Sequence, residues 1–484
     1  MKGEIFIHLG LPRRGRVYLL GAGGIGVSSL AWWFLAQKWA VEGSDIAKSP
    51  LTSELRKQGI KVKIGPQNRL AIPRRVDLLV YSQAVAGSRF CGEALARGIP
   101  AFSYPQFVGR LTRYYRTVAI AGAHGKSTTT ALVGIILAAG RLDPTVIVGT
   151  KLREFGGRNF RRGKGIHLVL EADEYGRAFL NYSPAVAVVT SIDREHLDTY
   201  QNLGDIKRTF LQFLSNTAAH GTLVLNRDDK NLRSLAPRVR KLAARKKLHI
   251  VWYSLADADV GAVRRAMKIP GEHNVSNALA AIRAAASVGV PRRIALAAIS
   301  RYRGSWRRME YRGTMRIRNY ELQITDKDRL NKTVIHNSRF IIPVYDDYAH
   351  HPTEIRATLA ALKEKYPERK IICVFQPHQT RRLQTLWKEF IGAFNDADVM
   401  VLLPLYRVAG RDPSTNSGQA TSVKLAEAIH KKYPGKSIHY LANPKNLEKF
   451  LSKILSPKPH PLSPILVMMG AGDIVNYTDA LVRP

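Results

Sequence analysis

"AGAHGKSTTTAL", residues 121–132, decides how this chain is read. The apolar run Val118–Ala121 leads into it and "VGIILAAG" follows, so a buried strand should turn through a glycine loop into a helix from Thr128 onward. The usual phosphate-binding loop has a glycine five places before Gly125, where Ile120 stands; here the spacing is Gly122-x-x-Gly125-Lys126-Ser127. The physics survives the shortening. Backbone N–H groups and a helix N-terminus cradle phosphate, Lys126 offers a mobile cation, and the Ser127 hydroxyl can reach Mg²⁺. A tight turn with no ligand is the plainer alternative.

The 484 residues suit about three domains, and 45% hydrophobic residues are ample for buried cores. No run of 18 or more apolar residues occurs, so no membrane span is expected. The N-terminus lacks the apolar core and cleavage site of a signal peptide. Two cysteines, Cys91 and Cys373, are too few for a disulfide framework or a cysteine-based zinc site. A reducing, cytoplasmic location is the resulting expectation. The net charge of +38 fits either a solvated basic surface or attraction to polyanions. Its densest run, "RVRKLAARKKLH" (238–249), lies in an acid-free stretch from Lys230 to Ala256. That run has no interleaved aromatics, which favours a solvated surface and no specific nucleic-acid partner.

A second glycine landmark comes earlier. "RVYLLGAGGIGVSSLAWWFL" reads as strand, then Gly21-x-Gly23-Gly24-x-Gly26, then helix, and "WAVEGSD" supplies a second strand ending in Asp45. Such a turn brings backbone N–H groups close to a diphosphate, and an acid about 20 residues on suits a ribose hydroxyl. Taken alone, the stretch fits NAD as well as any other nucleotide. "VDLLVYSQAV" and "GIPAFSY" continue a parallel α/β unit to about Tyr115.

Beyond the central loop, "HLVLEADEYG" and "PAVAVVTSIDREHLDTY" run strands straight into acids. Ligands gather at strand C-termini in such sheets, so Glu174, Asp193 and His196 are candidates to meet what the loop holds. In "GEHNVSNALAAIRAAASVGV", Asn274 and Asn277 lie three apart on one face of a helix's first turn, as nucleotide contacts or as caps. The last third alternates apolar strands with helices, a second Rossmann-like pattern. It places Asp346, Asp347, Tyr348, His350, His378 and Arg382 at strand ends, where hydrogen bonding is a better role for "AHHP" than metal binding.

Together, "GAGGIGVSSLA", "AGAHGKSTTT", "DPTVIVG", "EADEYGRAFL", "VTSIDREHLDTY", "GEHNVSNALAAI", "YDDYAHHPTEI", "FQPHQTRRL" and "MGAGDI" resemble, in order, the amide-forming Mur ligases of peptidoglycan synthesis. The short Gly-x-x-Gly-Lys spacing is that family's own. The resemblance implies an α/β fold with a three-domain Mur ligase architecture: a Rossmann-like N-terminal domain (1–115), a central P-loop ATPase-type domain (116–305) and a Rossmann-like C-terminal domain (306–484). The implied substrates are UDP-N-acetylmuramate, L-alanine and ATP, with Mg²⁺, in a monomer or homodimer. By this likeness Gly21, Gly23, Gly24, Gly26, Asp45 and Ser82 hold the UDP-sugar. Gly122, His124, Gly125, Lys126, Ser127, Thr128, Asn274, Asn277, Arg307, Arg308, Asp346 and Asp347 meet ATP. Ser127, Glu174 and His196 hold metal, and Lys126, Glu174 and His196 form the catalytic set, with His196 the candidate for the amine proton. Tyr348, His350, His378 and Arg382 face the muramoyl carboxylate and alanine.

Other readings leave more unexplained. A ligase of the muropeptide-recycling type normally has a different first glycine loop. An NAD-dependent dehydrogenase accounts for 17–45 but not for "AHGKSTTT". A nucleic-acid-dependent ATPase lacks its helicase motifs. A nucleotide-binding scaffold without activity stays open because of two length changes: a short stretch between Val260 and Gly271, and an insertion at 311–343 with no assigned role.

Overall fold

The computed structural model describes residues 4–66, 70–196, 198–325, 332–407, 421–455 and 463–482, with backbone only for 317–340. The chain forms two units, 1–268 with 274–305, and 269–273 with 306–484. The first unit contains two sheets and the second unit one.

The first sheet is wholly parallel. Its strands are β1 (Arg16–Leu20), β2 (Ala40–Asp45), β3 (Lys61–Ile64), β4 (Leu78–Tyr81) and β5 (Ala101–Ser103), in the order β3-β2-β1-β4-β5. The order reverses beside β1, so a crevice opens at its C-terminal end, where Gly21 begins the glycine loop. The helix that follows, Ile25–Ala36, buries Trp32, Trp33 and Phe34. It is apolar on nearly every side because it is covered on nearly every side. Phe6, Trp39 and Phe107 pack around Trp33 and Phe34, and the strands Thr145–Leu152 and Arg158–Arg161 of the next sheet press on the same helix.

That second sheet has seven strands: β6 (Arg116–Ala121), β7 (Thr145–Leu152), β8 (Arg158–Arg161), β9 (His167–Glu171), β10 (Val186–Val189), β11 (Thr222–Asn226) and β12 (His249–Tyr253). Their order is β12-β11-β10-β6-β9-β7-β8, with only β8 antiparallel. The central strand β6, buried from Thr117 to Ala121, ends at the phosphate-type loop. Both sheets of this unit are tied by polar contacts: Lys151 Nζ lies 2.8 Å from Glu54, and Asn159 Nδ2 donates to Ser28 Oγ at 3.1 Å and to the Ile25 carbonyl. The glycine loop therefore starts a helix that the nucleotide-type sheet holds in place.

The second unit has β13 (Glu310–Thr325), β14 (Lys332–Asp347), β15 (Ile371–Phe375), β16 (Val399–Leu402), β17 (Ser437–Tyr440) and β18 (Ile465–Met469), in the order β13-β14-β18-β15-β16-β17. All neighbours are parallel except β13 and β14. The insertion at 311–343 thus becomes an antiparallel edge ribbon whose second strand continues into the sheet. In the other altered stretch, a helix at Val260–Ala266 fills the short connection. Among the described residues no helix is long and apolar enough to cross a membrane.

One close approach yields a test of the first unit. Gly109 lies in the helix Tyr104–Thr112, and a Cβ there would come within 2.5 Å of the Asn181 carbonyl oxygen. In an open helix Gly→Ala is stabilising by about 0.8–1 kcal/mol. Here Gly109→Ala should destabilise by about 1–3 kcal/mol, because backbone must shift to admit the methyl group. A urea midpoint that rises instead would show that the packing is looser than described.

Candidate functional site

The loop after β6 is shaped by two glycines. Gly122 has φ +141 with the Thr190 hydroxyl directly behind it, and Gly125 has φ +82 with Asn277 Oδ1 against its open side; a Cβ at either would collide. Because Gly125 turns the chain as the N-cap, the helix begins at Lys126, two residues before the expected Thr128. Asn277 and Asn274, both buried, sit in the first turns of the helix Glu272–Ala286, and Asn277 backs the loop itself. His124 donates its backbone N–H to Ser191 Oγ at 3.0 Å, and its ring lies 3.1 Å from Asp193. Asp193 therefore braces the loop through His124.

Lys126 folds back over its own loop. Its Nζ donates to the Gly122 carbonyl at 2.7 Å and to both carboxylate oxygens of Glu174, at 2.9 and 2.8 Å. Only 13% and 3% of the two side chains is exposed. His196 Nε2 stands 3.5 Å from Glu174 and 4.0 Å from Asp173, held by a left-handed backbone at φ +54 that is uncommon outside glycine. Burial disfavours charge on Glu174, but Lys126 and His196 outweigh it and hold the carboxyl at about 2. Burial likewise opposes charge on Lys126 and on His196, yet the acids beside them raise both groups above their ordinary values. Lys126, Glu174 and His196, inferred separately from sequence, meet as one network.

Ser127 is directed elsewhere. Its hydroxyl donates to Glu171 Oε1 at 3.0 Å, and the other oxygen of Glu171 accepts the Gly149 N–H at 2.7 Å. Sequence reasoning passed over Glu171 in favour of Glu174. The signal was present: Glu171 is the last residue of β9, the strand beside β6, and so is placed by the sheet itself. Hard oxygen donors suit a divalent cation. Ser127 and Glu171 offer one such pair, and Asp173, Glu174 and His196 offer ligand atoms within 4.8 Å of one another, so the residues present fit magnesium.

At the first sheet, Asp45 Oδ2 accepts the Gly23 N–H at 2.8 Å and Ala47 N–H reaches Oδ1 at 3.3 Å. The acid expected beside a sugar also braces the glycine loop. Ser82 at the end of β4 lies against Gly21, Gly24 N–H closes the turn onto the Gly21 carbonyl at 3.0 Å, and Gly26 rests on the Tyr104 ring.

In the second unit, Arg307 and Asp346 are turned to each other, with Nε 3.0 Å from Oδ1 and side chains 3% and 0% exposed. Arg307 also donates to the Gly470 and Gly472 carbonyls. Asp347 accepts backbone N–H groups from Met309 and Ala349 at 2.7 and 2.8 Å, and burial pushes its carboxyl up to about 6 despite nearby Arg308. Tyr348, His350 and His378 form a chain of edge-to-face rings; His378 stacks on Tyr406, and Arg382 reaches His378 Nδ1 at 3.2 Å. Arg308 lies over the Tyr348 ring. Tyr406 carried no motif of its own, and only the pairing of its backbone with His378 reveals it.

Comparison with known proteins agrees with this geometry. Family models described as "Mur ligase family, catalytic domain", "Mur ligase middle domain" and "Mur ligase, glutamate ligase domain" match residues 16–116, 120–285 and 333–472. The chain is 33% identical over 483 residues to the UDP-N-acetylmuramate–L-alanine ligase of Sulfurihydrogenibium sp., covering 97% of each. It is 35% identical over 489 residues to that of Desulfatibacillum aliphaticivorans, covering 96% of this chain and 98% of the relative. The crystal structure of UDP-N-acetylmuramate–alanine ligase from Thermotoga maritima superposes with a TM-score of 0.72 at 25% identity, covering 97% and 98% of the two chains. A murein peptide ligase from Psychrobacter arcticus shares the fold with a TM-score of 0.64 at 22% identity, covering 96% and 98%.

The buried carboxylate leads to a pH test. A carboxyl held at about 2, below its ordinary 4.5, contributes stability that is present above the higher value and lost as pH falls toward the lower. The stability of the parent relative to Glu174→Gln should therefore shrink between about pH 5 and about pH 2 in urea titrations. A difference that stays constant across that window would contradict the ionised pair.

Proposed function

This chain belongs to the Mur ligase family, and from that premise we infer that it joins L-alanine to the lactyl carboxylate of UDP-N-acetylmuramate with conversion of ATP to ADP and phosphate. The observation that carries the reading is the buried Lys126–Glu174–His196 network at the end of β6, beside a loop whose glycines let Thr190 and Asn277 pack behind it at a helix N-terminus. The reading assigns residues 1–115 to the UDP-sugar, 116–305 to ATP and 306–484 to the amino acid.

The chemistry demands activation. An amine does not displace oxide from a carboxylate, because oxide is a poor leaving group. Transfer of the γ-phosphoryl group to a carboxylate oxygen releases ADP and gives an acyl phosphate. The alanine nitrogen then attacks the acyl carbon, the C–O bond to phosphate breaks, and the ammonium proton passes to a base. Products are amide, ADP and phosphate, and every oxygen is accounted for.

Residue roles follow from position. Backbone N–H groups from Gly125 to Thr128 grip the phosphates at the helix N-terminus, with Asn277 keeping Gly125 in its turn. Lys126 exchanges its contacts with Glu174 and the Gly122 carbonyl for the β- and γ-phosphates, a swap of one anionic partner for another. Ser127 and Glu171 would hold Mg²⁺, and Glu174 and His196 offer further ligand atoms beside them. Bound there, the metal would supply charge neutralisation on the transferring group. Gly21 to Gly26 and Ser82 take the UDP diphosphate, and Asp45 keeps that loop in shape. Arg308, Tyr348, His350, His378 and Arg382 receive the carboxylates, while Arg307, Asp346 and Asp347 set the conformation from which Arg308 and Tyr348 project.

Phosphate release should require ATP, UDP-N-acetylmuramate and L-alanine together, in a coupled assay run across alanine, serine and glycine. Turnover without the UDP-sugar would overturn the assignment. Lys126→Ala should lower turnover by about 1,000-fold or more while the Kd for UDP-N-acetylmuramate stays within about threefold. Loss of both would place the two ligands in one site. Glu171→Gln should raise the magnesium concentration needed for half-maximal rate by about 10-fold or more, with Glu171→Asp partly restoring it; an unchanged magnesium profile would remove Glu171 from the metal set.

A further inference from the structure

Two of the helices that connect β10, β11 and β12 present matching stripes. Arg208, Leu211, Gln212 and Ser215 fall at helical spacing on Leu203–Ser215, and Arg238, Lys241, Leu242 and Arg245 repeat that spacing on Ala236–Lys246. The two stripes line one cleft of about 650 Å³ with Leu211 and Leu242 toward its floor and four cations around it. No acid lines it. Asp205, one turn before Arg208, is buried and bonded to Arg177, reaching Arg208 only at 3.5 Å, and the Arg208 side chain is 65% exposed.

The second helix belongs to the acid-free stretch Lys230–Ala256, which contains eight Lys and Arg residues. Val239, Leu242 and Ala243 bury one face of it, while Arg238, Arg240, Lys241 and Arg245 are exposed, with Lys247 just beyond its end. A solvated surface needs neither the matched stripes nor an apolar floor. A nucleic acid would gain little from Leu211 and Leu242, and no aromatic ring lines the cleft for base stacking. Both features suit a lipid surface, where phosphate headgroups meet the cations and acyl carbon meets the half-buried Leu211 above the buried Leu242.

We propose that the face formed by Leu203–Ser215 and Ala236–Lys246 docks reversibly on bilayers rich in anionic phospholipid. Docking there uses none of the residues assigned to ATP, the UDP-sugar or alanine, and it does not depend on those assignments. Clusters of four to eight basic residues on an amphipathic helix have the charge needed for such binding at roughly tenfold or less per cation.

The test is flotation of the full chain with vesicles of phosphatidylcholine, with and without about one-third phosphatidylglycerol, at about 0.1 M salt. Binding should require the anionic lipid. Replacing Arg238, Lys241 and Arg245 with Gln should weaken it by about 100-fold while ligase turnover in solution and the melting temperature are retained. Replacing the exposed Lys424, Lys431 and Lys449 with Gln, which removes the same charge elsewhere, should weaken it far less. Leu211→Gln should reduce binding further in raised salt, where the apolar floor carries more of the affinity. Equal losses from the two triple variants would reduce the effect to net charge and overturn the proposal. Absence of binding to anionic vesicles, or duplex DNA displacing the chain from them at physiological salt, would overturn it as well.

Discussion

A buried lysine paired with a buried glutamate is the constraint on which the rest of the central site depends. Removing both charges from water costs about several kcal/mol per ion, even after the protein relaxes. The loop offsets that cost locally: Lys126 meets both oxygens of Glu174 and the Gly122 carbonyl, and Glu174 gains His196 besides. The result is a cation kept ionised beside an oriented helix N-terminus, with its donors turned toward groups that a phosphate can replace. Glycine at 122 and 125 is needed so that Thr190 and Asn277 can press on the loop from behind. Sheet order completes the design, since β9 and β10 flank β6 and bring Glu171 and the Asp193 segment to the same edge.

Much of this was legible in the chain. The two glycine loops announced themselves because steric demands restrict them to glycine, and strands that run into acids marked their own C-terminal ends. Lys126, Glu174 and His196 were found that way, and they converge. What sequence could not supply was partner choice among neighbouring acids. Glu171 and Glu174 lie three residues apart in one motif, yet the strand's last residue takes Ser127 and the following turn takes Lys126. Asp45 shows the same gap: its distance along the chain from the glycine loop suits a sugar contact, and its carboxylate also accepts the Gly23 N–H. Spacing places a residue near a site; only the hydrogen-bond inventory shows what it is already holding.

The length changes have ordinary structural outcomes. The insertion near residue 320 lengthens two paired strands, one of which continues into the sheet of the second unit. The shortened stretch after Val260 is spanned by a helix. The high positive charge also has more structure than composition suggested. Part of it is organised along two helix faces around an apolar floor, and part is spent internally, as where Arg307 holds the Gly470 turn against Asp346.

The central claim is that the loop around Lys126 delivers a γ-phosphoryl group to a carboxylate oxygen of the sugar nucleotide. Following the fate of ¹⁸O placed in the lactyl carboxylate of UDP-N-acetylmuramate tests it directly. Each phosphate released with amide formation should carry one labelled oxygen, because the C–O bond to the activated oxygen breaks when alanine attacks. Phosphate that emerges free of label, with both labelled atoms left on the sugar, would mean that ATP was cleaved by water and would contradict the account.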